Sequence, residues 1–206
     1  MPIDAVVFDI GRVLIEWEPE RFYDSRIGPA RRRQLFAEVP LHAVNLGIDR
    51  GAPFRGSVYA LADAHPAWAE EIRWWHDCWL QMVPGAITHS VRLMQALQAK
   101  GIPVFALSNF GTETFETACG AYPFLRGFDH TCVSAHLKTI KPEPEIYAIL
   151  ERETGVAPEH LLFTDDRPEN IAAARLRGWQ THLFTIPGPF AARLVQEGLL
   201  TEQEAA

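Results

Sequence analysis

Five short apolar runs, separated by helical patterns, constrain the fold of this chain more than any other feature. The runs are almost continuous in Val, Ile, Leu and Phe, which is typical of parallel strands that are buried on both faces. They predict strands at residues 5–8, 103–107, 130–133, 161–163 and 181–184. Strand alternating with helix indicates an α/β fold with a doubly wound, mostly parallel sheet.

Helical patterns fill three of the intervals between these runs. We predict helices at residues 89–100, 142–153 and 168–177. The first of them is followed by Gly101 and the third by Gly178, the residue type that most readily ends a helix in a left-handed conformation. The second is predicted to begin with Pro142 at its first position and to carry acidic residues in its first turn.

One long segment interrupts the alternation. Residues 15–84 contain no convincing buried strand, and five of the six tryptophans of the chain fall there. An insertion of this kind after the first strand is most simply a small all-helical cap that lies above the sheet. We therefore expect a core domain made of residues 1–14 and 85–206, which carries the chemistry, and a cap domain at 15–84, which selects the substrate.

Charge and cysteine content exclude several classes of protein. The formal net charge is −7, which argues against binding to nucleic acid or to an anionic membrane surface. The three cysteines form no CxxC pair and indicate free thiols in a reducing, cytoplasmic compartment. Asp4 and Asp9 interrupt the first apolar run, so we predict no signal peptide, and no apolar stretch is long enough to span a bilayer. Either a monomer or a homodimer is compatible with the sequence.

Polar residues follow the apolar runs at the positions where parallel sheets bind ligands. They are Asp9 after the first run, Ser108 and Asn109 after the second, Asp165 and Asp166 after the fourth, and Lys141 before a helix start. Gathered carboxylates repel each other, by about 4 kcal/mol per pair at a separation of ~4 Å and an effective dielectric near 20. A Mg²⁺ ion would relieve that repulsion, while a hydroxyl and an ammonium group could hold a phosphoryl group. The set indicates phosphoryl transfer through an aspartyl-phosphate.

Each of these residues also has an ordinary structural interpretation. Asp9 could be a turn carboxylate, Ser108 with Asn109 a helix cap, and Lys141 a solvated lysine. Asp165 and Asp166 stand before Pro168, where capping of a helix would explain at least one of them. Their joint placement at the ends of predicted strands favours the catalytic interpretation.

Four motifs in order resemble the haloacid dehalogenase-like (HAD) hydrolases, in particular their phosphatase-like branch with a helical cap inserted after the first strand. The motifs are VVFDIGRVL with Asp9, FALSNF with Ser108, KTIKPEPEIY with Lys141, and LLFTDDRPENIAAARLRGW with Asp165 and Asp166. Each motif alone is weak, but together they extend over nearly the whole chain. The resemblance implies a Rossmann-like core and a Mg²⁺-dependent phosphatase.

The resemblance also implies roles for these residues. Asp9 would be the nucleophile and a Mg²⁺ ligand, with the main-chain carbonyl of Gly11, Asp166 and its neighbour Asp165 as the other protein ligands. Ser108 would hold the phosphoryl oxygens, and Lys141 would neutralise charge on the phosphoryl group and the nucleophile. Asn109 and Arg12 are further candidates for substrate binding.

Gly11 departs from the pattern of most similar phosphatases, which have a second aspartate there as general acid and base. Loss of such a group typically lowers the rate by about 10²–10⁴-fold. Three arrangements would compensate: a leaving group that needs little protonation, such as the anomeric oxygen of a sugar 1-phosphate, which we favour; a water in the space left by Gly11; or a cap residue such as His42, Arg21 or Glu16.

Other positions leave more than one interpretation open. Arg12 stands where similar sequences usually have Gly or Asn, and it either adds positive charge near the substrate or projects into solvent. His42, Asp49 and Arg50 are candidates for substrate contact by position only, and surface solvation is the favoured interpretation of each. The cap tryptophans are more typical of a core than of a substrate platform.

The sequence therefore predicts a Mg²⁺-dependent phosphomonoester hydrolase that acts on a small phosphorylated metabolite, such as a sugar phosphate. Two alternatives remain at this point. One is a 2-haloacid dehalogenase, in which the same aspartate attacks carbon. The other is a catalytically weak binding module that lost turnover together with the second acid at position 11.

Overall fold

The computed structural model describes residues 2–206, and its centre is a sheet of five strands in the order β3-β2-β1-β4-β5, paired in parallel throughout. The strands are β1 Ala5–Phe8, β2 Val104–Ser108, β3 His130–Val133, β4 Leu161–Asp165 and β5 Gln180–Leu183. The α-helices are α1 Pro19–Glu38, α2 Leu41–Asp49, α3 Phe54–Ala64, α4 Ala69–Asp77, α5 Thr88–Ala99, α6 Thr112–Ala121, α7 Ser134–Leu137, α8 Pro144–Thr154, α9 Pro168–Leu176 and α10 Pro187–Gln196.

The predicted strands are confirmed, with shifts of one or two residues at some ends. Two shifts matter for function, because β2 extends through Ser108 and β4 extends through Asp165. Both polar side chains therefore belong to the last residues of buried strands. They lie at the same edge of the sheet as Asp9, which directly follows the central strand β1.

The predicted core helices are also present, and one predicted start is wrong. Helix α8 begins at Pro144 and not at Pro142. The carboxylate of Glu143 instead accepts hydrogen bonds from Thr139 and from the main-chain N–H of Ile140, so it closes the turn that precedes the helix. Gly101 and Gly178 follow α5 and α9 with φ of 74° and 93°, as expected for helix ends.

Side chains pack against both faces of the sheet. On one face Val6 and Phe8 pack in a cluster with residues of α5 and α10. On the other face Ala5 and Val7 pack in a cluster with residues of α8 and α9. Because both faces are covered, the strands read as continuous apolar runs in the sequence.

The segment between β1 and α5 is helical and contains no β-strand. Helix α1 is interrupted at Gly28, whose φ of 75° and ψ of 158° are not helical, and Pro29 follows. Aromatic side chains of this segment form a cluster that continues into the core through Phe110 and Phe115. Its assignment as a separate cap domain at residues 15–84 stays a prediction.

The cysteines are free thiols, as expected from their spacing. Cys119 and Cys132 are buried, whereas Cys78 is only half-buried. No helix within residues 2–206 combines the length and the apolar character that a membrane span requires.

Candidate active site

Asp9 lies at the floor of a cavity of ≈ 620 Å³ beyond the carboxyl ends of the strands. Its Oδ1 atom accepts hydrogen bonds from the Ser108 hydroxyl at 2.7 Å and from the main-chain N–H of Ile10 at 2.7 Å, and Lys141 Nζ lies 2.9 Å away. Among residues 2–206, no hydrogen bond to Asp9 Oδ2 is found. One oxygen of the carboxyl group is therefore held in place and the other is unengaged.

Lys141 lies between two carboxylates and is itself buried. Its Nζ is 2.9 Å from Asp9 Oδ1 and 2.6 Å from Asp165 Oδ2. Burial alone would lower the pKa of the ammonium group, but the charges of Asp165 and Asp9 raise it above its usual value. Lys141 therefore stays positively charged at neutral pH, which makes it a fixed cation at the floor of the cavity.

The Asp165 carboxylate is fully buried and has hydrogen-bond donors on both oxygens. Oδ2 accepts from Lys141, and Oδ1 accepts from the main-chain N–H of Arg167 at 2.8 Å. The side-chain amide of Asn170 donates to both oxygens at 3.0 Å. Asp165 thus fixes the position of Lys141, and it does not line the cavity.

Asp166 is half-buried and lines the cavity beside Asp9. Asp9, Asp165 and Asp166 each offer a carboxylate oxygen within 4.8 Å of the others. Burial, followed by repulsion from Asp165, raises the pKa of Asp166. The same two causes raise the pKa of Asp9 to about 7, although Lys141 and Ser108 oppose them. Such mutual repulsion is what a bound divalent cation would relieve.

The main-chain carbonyl of Gly11 is a further oxygen that could ligate a metal ion. Within residues 2–206, no hydrogen bond to the Gly11 carbonyl is found. An ideal Cβ atom at Gly11 would have no other heavy atom within 4 Å, so the position of the missing second aspartate is open space. Mg²⁺ prefers oxygen ligands, usually one or two carboxylates together with water. The cavity offers the carbonyl of Gly11, the carboxylates of Asp9 and Asp166, and space for water molecules. The residues present therefore fit this ion.

Asn109 uses its side chain to hold the loop that carries Lys141. Its amide accepts from the Lys141 main-chain N–H at 2.7 Å and donates to the Lys141 carbonyl at 2.9 Å. Asn109 also lines the cavity, so its predicted contact with substrate stays a prediction.

Arg12 has a left-handed main-chain conformation with φ of 59°, which explains why Gly or Asn suits this position. Its side chain is half-exposed, lines the cavity and donates to the carbonyl of Trp17 at 3.3 Å. The Arg12 guanidinium also lowers the pKa of Asp166, although burial outweighs it. Its positive charge therefore lies on the cavity side of the loop.

The helical segment supplies the upper wall of the cavity. Three aromatic side chains of this segment line the cavity, namely Trp17, Trp75 and Trp79, and Phe110 lines it from the loop after β2. Of the cap residues predicted to handle protons, His42 and Glu16 line the cavity, whereas Arg21 does not. Arg50 also lies outside it and forms an ion pair with Glu143.

Asp49 is a buried carboxyl group that faces the same cavity. Burial raises its pKa to about 7; the Asn45 hydrogen bond lowers it and the charge of Asp9 raises it further. From the sequence, Asp49 was only one of several polar residues in PLHAVNLGIDRG. No local pattern distinguishes it, because its burial depends on contacts with residues far along the chain.

The sequence profile of the haloacid dehalogenase-like hydrolases matches residues 3–178, which include Asp9, Ser108, Lys141, Asp165 and Asp166. The chain belongs to the haloacid dehalogenase-like hydrolases. Phosphoglycolate phosphatase of Escherichia coli (strain K12) is 28% identical to this HAD-like hydrolase over 90 residues. That match covers 44% of this chain and spans only 36% of the relative's length.

Solved structures share the fold of this HAD-like hydrolase. An HAD family enzyme from Bacteroides thetaiotaomicron, in complex with magnesium and inorganic phosphate, superposes with a TM-score of 0.67 at 21% identity, covering 89% of this chain and 95% of that one. L-2-haloacid dehalogenase from Xanthobacter autotrophicus, with chloropropionic acid covalently bound, gives 0.61 at 17% identity, covering 98% and 86%. At these identities the likeness establishes the fold, which both kinds of hydrolase share.

Proposed function

We propose that this hydrolase is a Mg²⁺-dependent phosphomonoesterase that acts through an aspartyl-phosphate at Asp9. The observation that carries the proposal is the state of the Asp9 carboxyl group. Ser108 and Lys141 hold Oδ1, while Oδ2 has no donor within residues 2–206 and belongs to a cavity-lining side chain. Such a carboxylate is positioned to attack an electrophilic phosphorus atom with Oδ2.

Asp9, Asp166 and the carbonyl of Gly11 would hold the Mg²⁺ ion. When bound, the ion neutralises negative charge on the nucleophile and on the phosphoryl oxygens. Asp165 was expected to be another ligand, but its oxygens already accept hydrogen bonds from Lys141, Asn170 and the Arg167 main chain. We therefore assign Asp165 the task of anchoring Lys141.

Ser108 and Lys141 act on the same oxygen of Asp9 before reaction. Because both are donors at the floor of the cavity, they can turn toward phosphoryl oxygens as negative charge moves from Asp9 onto the phosphoryl group. Both side chains are almost fully buried, so their electrostatic effect is weakly screened by water.

The aromatic wall supports a sugar phosphate as substrate. Trp17, Trp75 and Trp79 present apolar surfaces that suit the C–H faces of a sugar ring. Polar side chains also line the cavity, including Asn45 and Glu16, and can form hydrogen bonds with hydroxyl groups. A panel of phosphoesters tests this, and we expect sugar phosphates to be hydrolysed faster than phosphorylated alkyl acids such as phosphoglycolate.

The dehalogenase alternative conflicts with the charge of the site. Displacement of halide by Asp9 uses no metal ion, so the neighbouring carboxylates of Asp9, Asp165 and Asp166 would lack the cation that relieves their repulsion. Chloride release from 2-chloropropionate in the presence of EDTA would favour this alternative. We expect none above the background of the Asp9→Asn variant.

Removal of divalent metal is expected to stop phosphate release. Without an ion, burial and repulsion from Asp165 favour protonation of Asp9 and of Asp166, so the nucleophile is lost. The measurement is phosphate release after EDTA treatment and after excess Mg²⁺ is added back. Asp166→Asn should raise the Mg²⁺ concentration needed for half-maximal activity by about 10-fold or more. Undiminished phosphate release in EDTA would contradict the assignment.

A further inference from the structure

Asp49 is held in one orientation by a chain of hydrogen bonds. The Trp75 indole N–H donates to Asn45 Oδ1 at 3.0 Å, and Asn45 Nδ2 donates to Asp49 Oδ2 at 3.0 Å. Because an indole N–H can only donate, the orientation of the Asn45 amide is fixed. Asp49 Oδ2 is therefore the accepting oxygen of the carboxyl group, and a proton on a neutral Asp49 resides on Oδ1. No hydrogen bond to Oδ1 is found in the described part of the chain.

The end of α2 that carries Asp49 is attached to the core. The buried Ser134 hydroxyl at the end of β3 donates to the Asp49 carbonyl at 2.6 Å. Arg50 pairs with Glu143, and the main-chain N–H of Phe54 donates to Glu113 at 2.7 Å. These contacts join the end of α2 and the residues after it to the start of α7, the turn before α8 and helix α6. Asp49 thus has a fixed position over the cavity without any movement of the helical segment.

Close packing at two glycines also fixes the position of the end of α2. A side-chain carbon at Gly111 would come within 2.6 Å of Ile48 Cγ2, so only glycine permits this packing. Gly51 has a φ of 94°, and a side-chain carbon there would come within 2.7 Å of the Ala135 carbonyl oxygen. Both glycines let the core loops approach the end of α2, next to Asp49.

The surroundings of Asp49 favour its neutral, proton-carrying form. The side chain is 8% exposed, and it is the last residue of α2, where the helix dipole disfavours a negative charge. Burial, helped by the charge of Asp9, raises the pKa of Asp49 to about 7 against the hydrogen bond from Asn45. This value lies in the range that suits a group that must both give and take a proton near neutral pH.

We propose that Asp49 is the general acid and base of this hydrolase, the role that a second aspartate at position 11 has in most similar phosphatases. The inference rests on the proposed phosphatase activity. Asp49 and the open space at Gly11 belong to the same cavity, whose floor carries Asp9. The acid is thereby supplied from the helical segment and not from the loop after β1.

The two proton transfers balance over one catalytic cycle. In the first step Asp9 Oδ2 bonds to phosphorus, the bond from phosphorus to the leaving oxygen breaks, and that oxygen takes the proton of Asp49 to leave as an alcohol. In the second step Asp49 removes a proton from water, whose oxygen bonds to phosphorus while the bond to Asp9 breaks. Inorganic phosphate leaves, Asp9 is a carboxylate again, and Asp49 is neutral again.

Four other carboxyl or imidazole side chains line the cavity beside the proposed metal ligands. Glu20 and Glu169 lie next to the guanidinium groups of Arg12 and Arg167, which favours their charged form. His42 and Glu16 are also less well placed for this role. His42 is exposed, and its ring packs edge-on against Phe36 and Trp75. Glu16 is half-buried. Within residues 2–206, neither side chain makes a hydrogen bond that fixes its orientation. Asp49 alone of the three has a fixed accepting oxygen.

The test compares Asp49→Asn on two substrates with different leaving groups. Asparagine keeps the hydrogen bond from Asn45 but carries no transferable proton. On an alkyl phosphate such as glycerol phosphate, we expect kcat/KM to fall by about 10²–10⁴-fold. On 2,4-dinitrophenyl phosphate, whose leaving group needs no proton, we expect a burst of one equivalent of dinitrophenolate followed by slow turnover, because the second step still lacks its base. If the variant does not fold, Asp49→Ser replaces it.

Controls separate this role from a structural one. Asp63→Asn changes an exposed carboxylate of α3 outside the cavity and should match the wild type on both substrates. Gly11→Asp in the Asp49→Asn background introduces an acid into the open space and should recover alkyl phosphate turnover. The role of Asp49 would be overturned if Asp49→Asn slowed release of the leaving group equally on both substrates. It would also be overturned if the double variant did not recover hydrolysis of the alkyl phosphate. Failure of the phosphatase proposal itself is recognised separately, because the wild type would then hydrolyse neither substrate, or Asp9→Asn would release dinitrophenolate as fast as the wild type.

Discussion

Replacement of Asp9 by asparagine is expected to lower phosphate release by about 10³-fold or more, since the amide is not a nucleophile. Asparagine is nearly the same size as aspartate and can still accept the hydrogen bond that Ser108 donates at 2.7 Å. The change therefore removes the nucleophilic carboxylate and its negative charge beside Lys141, and it keeps the shape of the side chain. The measurement is phosphate release from an aryl phosphate under saturating Mg²⁺, with circular dichroism to confirm that the variant is folded.

The matched control for this variant is Asp4→Asn. Asp4 is an exposed carboxylate near the same strand, and it pairs with His160 at 2.7 Å on the surface. We expect its replacement to leave phosphate release unchanged. A folded Asp9→Asn variant that retains wild-type turnover would show that another group attacks phosphorus.

Replacement of Lys141 by methionine is expected to produce the largest loss of stability. Lys141 is 3% exposed and separates Asp9 from Asp165, which are 7% and 0% exposed. Without the ammonium group, two buried carboxylates remain next to each other and one of them must take up a proton. Removing one partner of a buried ion pair typically lowers the free energy of unfolding by about 3–5 kcal/mol. Urea denaturation at neutral pH in the absence of Mg²⁺ measures this change.

Two variants test whether charge is the cause of that loss. Lys100→Met removes a surface lysine that pairs with Glu204, and it should cost at most about 1 kcal/mol. Lys141→Met combined with Asp165→Asn should recover part of the lost stability, because one of the two uncompensated charges is gone. A Lys141→Met variant no less stable than Lys100→Met would contradict the description of the charged cluster.

The strands were predictable because both faces of the sheet are buried, which leaves continuous apolar runs such as residues 5–8 and 130–133. Their ends were harder to locate. Ser108 and Asp165 are polar, so the apolar pattern ends before them, but the ladder continues through both residues to pair Ser108 with Val133 and Asp165 with Leu183.

The start of α8 shows a second limit of local reasoning. Both Pro142 and Pro144 suit the first position of a helix. The choice depends on Glu143, whose carboxylate is engaged by Thr139 and by Arg50, a residue far away in the sequence. Helix propensity depends on local sequence alone, so it cannot predict a contact between Glu143 and Arg50.

The sequence was enough to predict which residues lie together in the candidate site. It was not enough to predict the different contacts that each of them makes. Asp165 and Asp166 are adjacent and look equivalent in the sequence. Their difference follows from strand geometry, which turns Asp165 inward to Lys141 and Asn170 and leaves Asp166 at the cavity. Asp49 was not distinguishable from its neighbours, because its burial comes from Ser134 and other core residues that the chain brings to it only after folding.

The central claim is that Asp9 carries the phosphoryl group during turnover, and acid quenching tests it most directly. The Asp49→Asn variant, mixed with 2,4-dinitrophenyl phosphate and Mg²⁺, is quenched in acid within the burst and digested for mass spectrometry. We predict one phosphoryl group on the peptide that contains Asp9, and none when Asp9 is replaced by asparagine. Dinitrophenolate release without phosphate on that peptide, or phosphate on a different residue, would contradict the account.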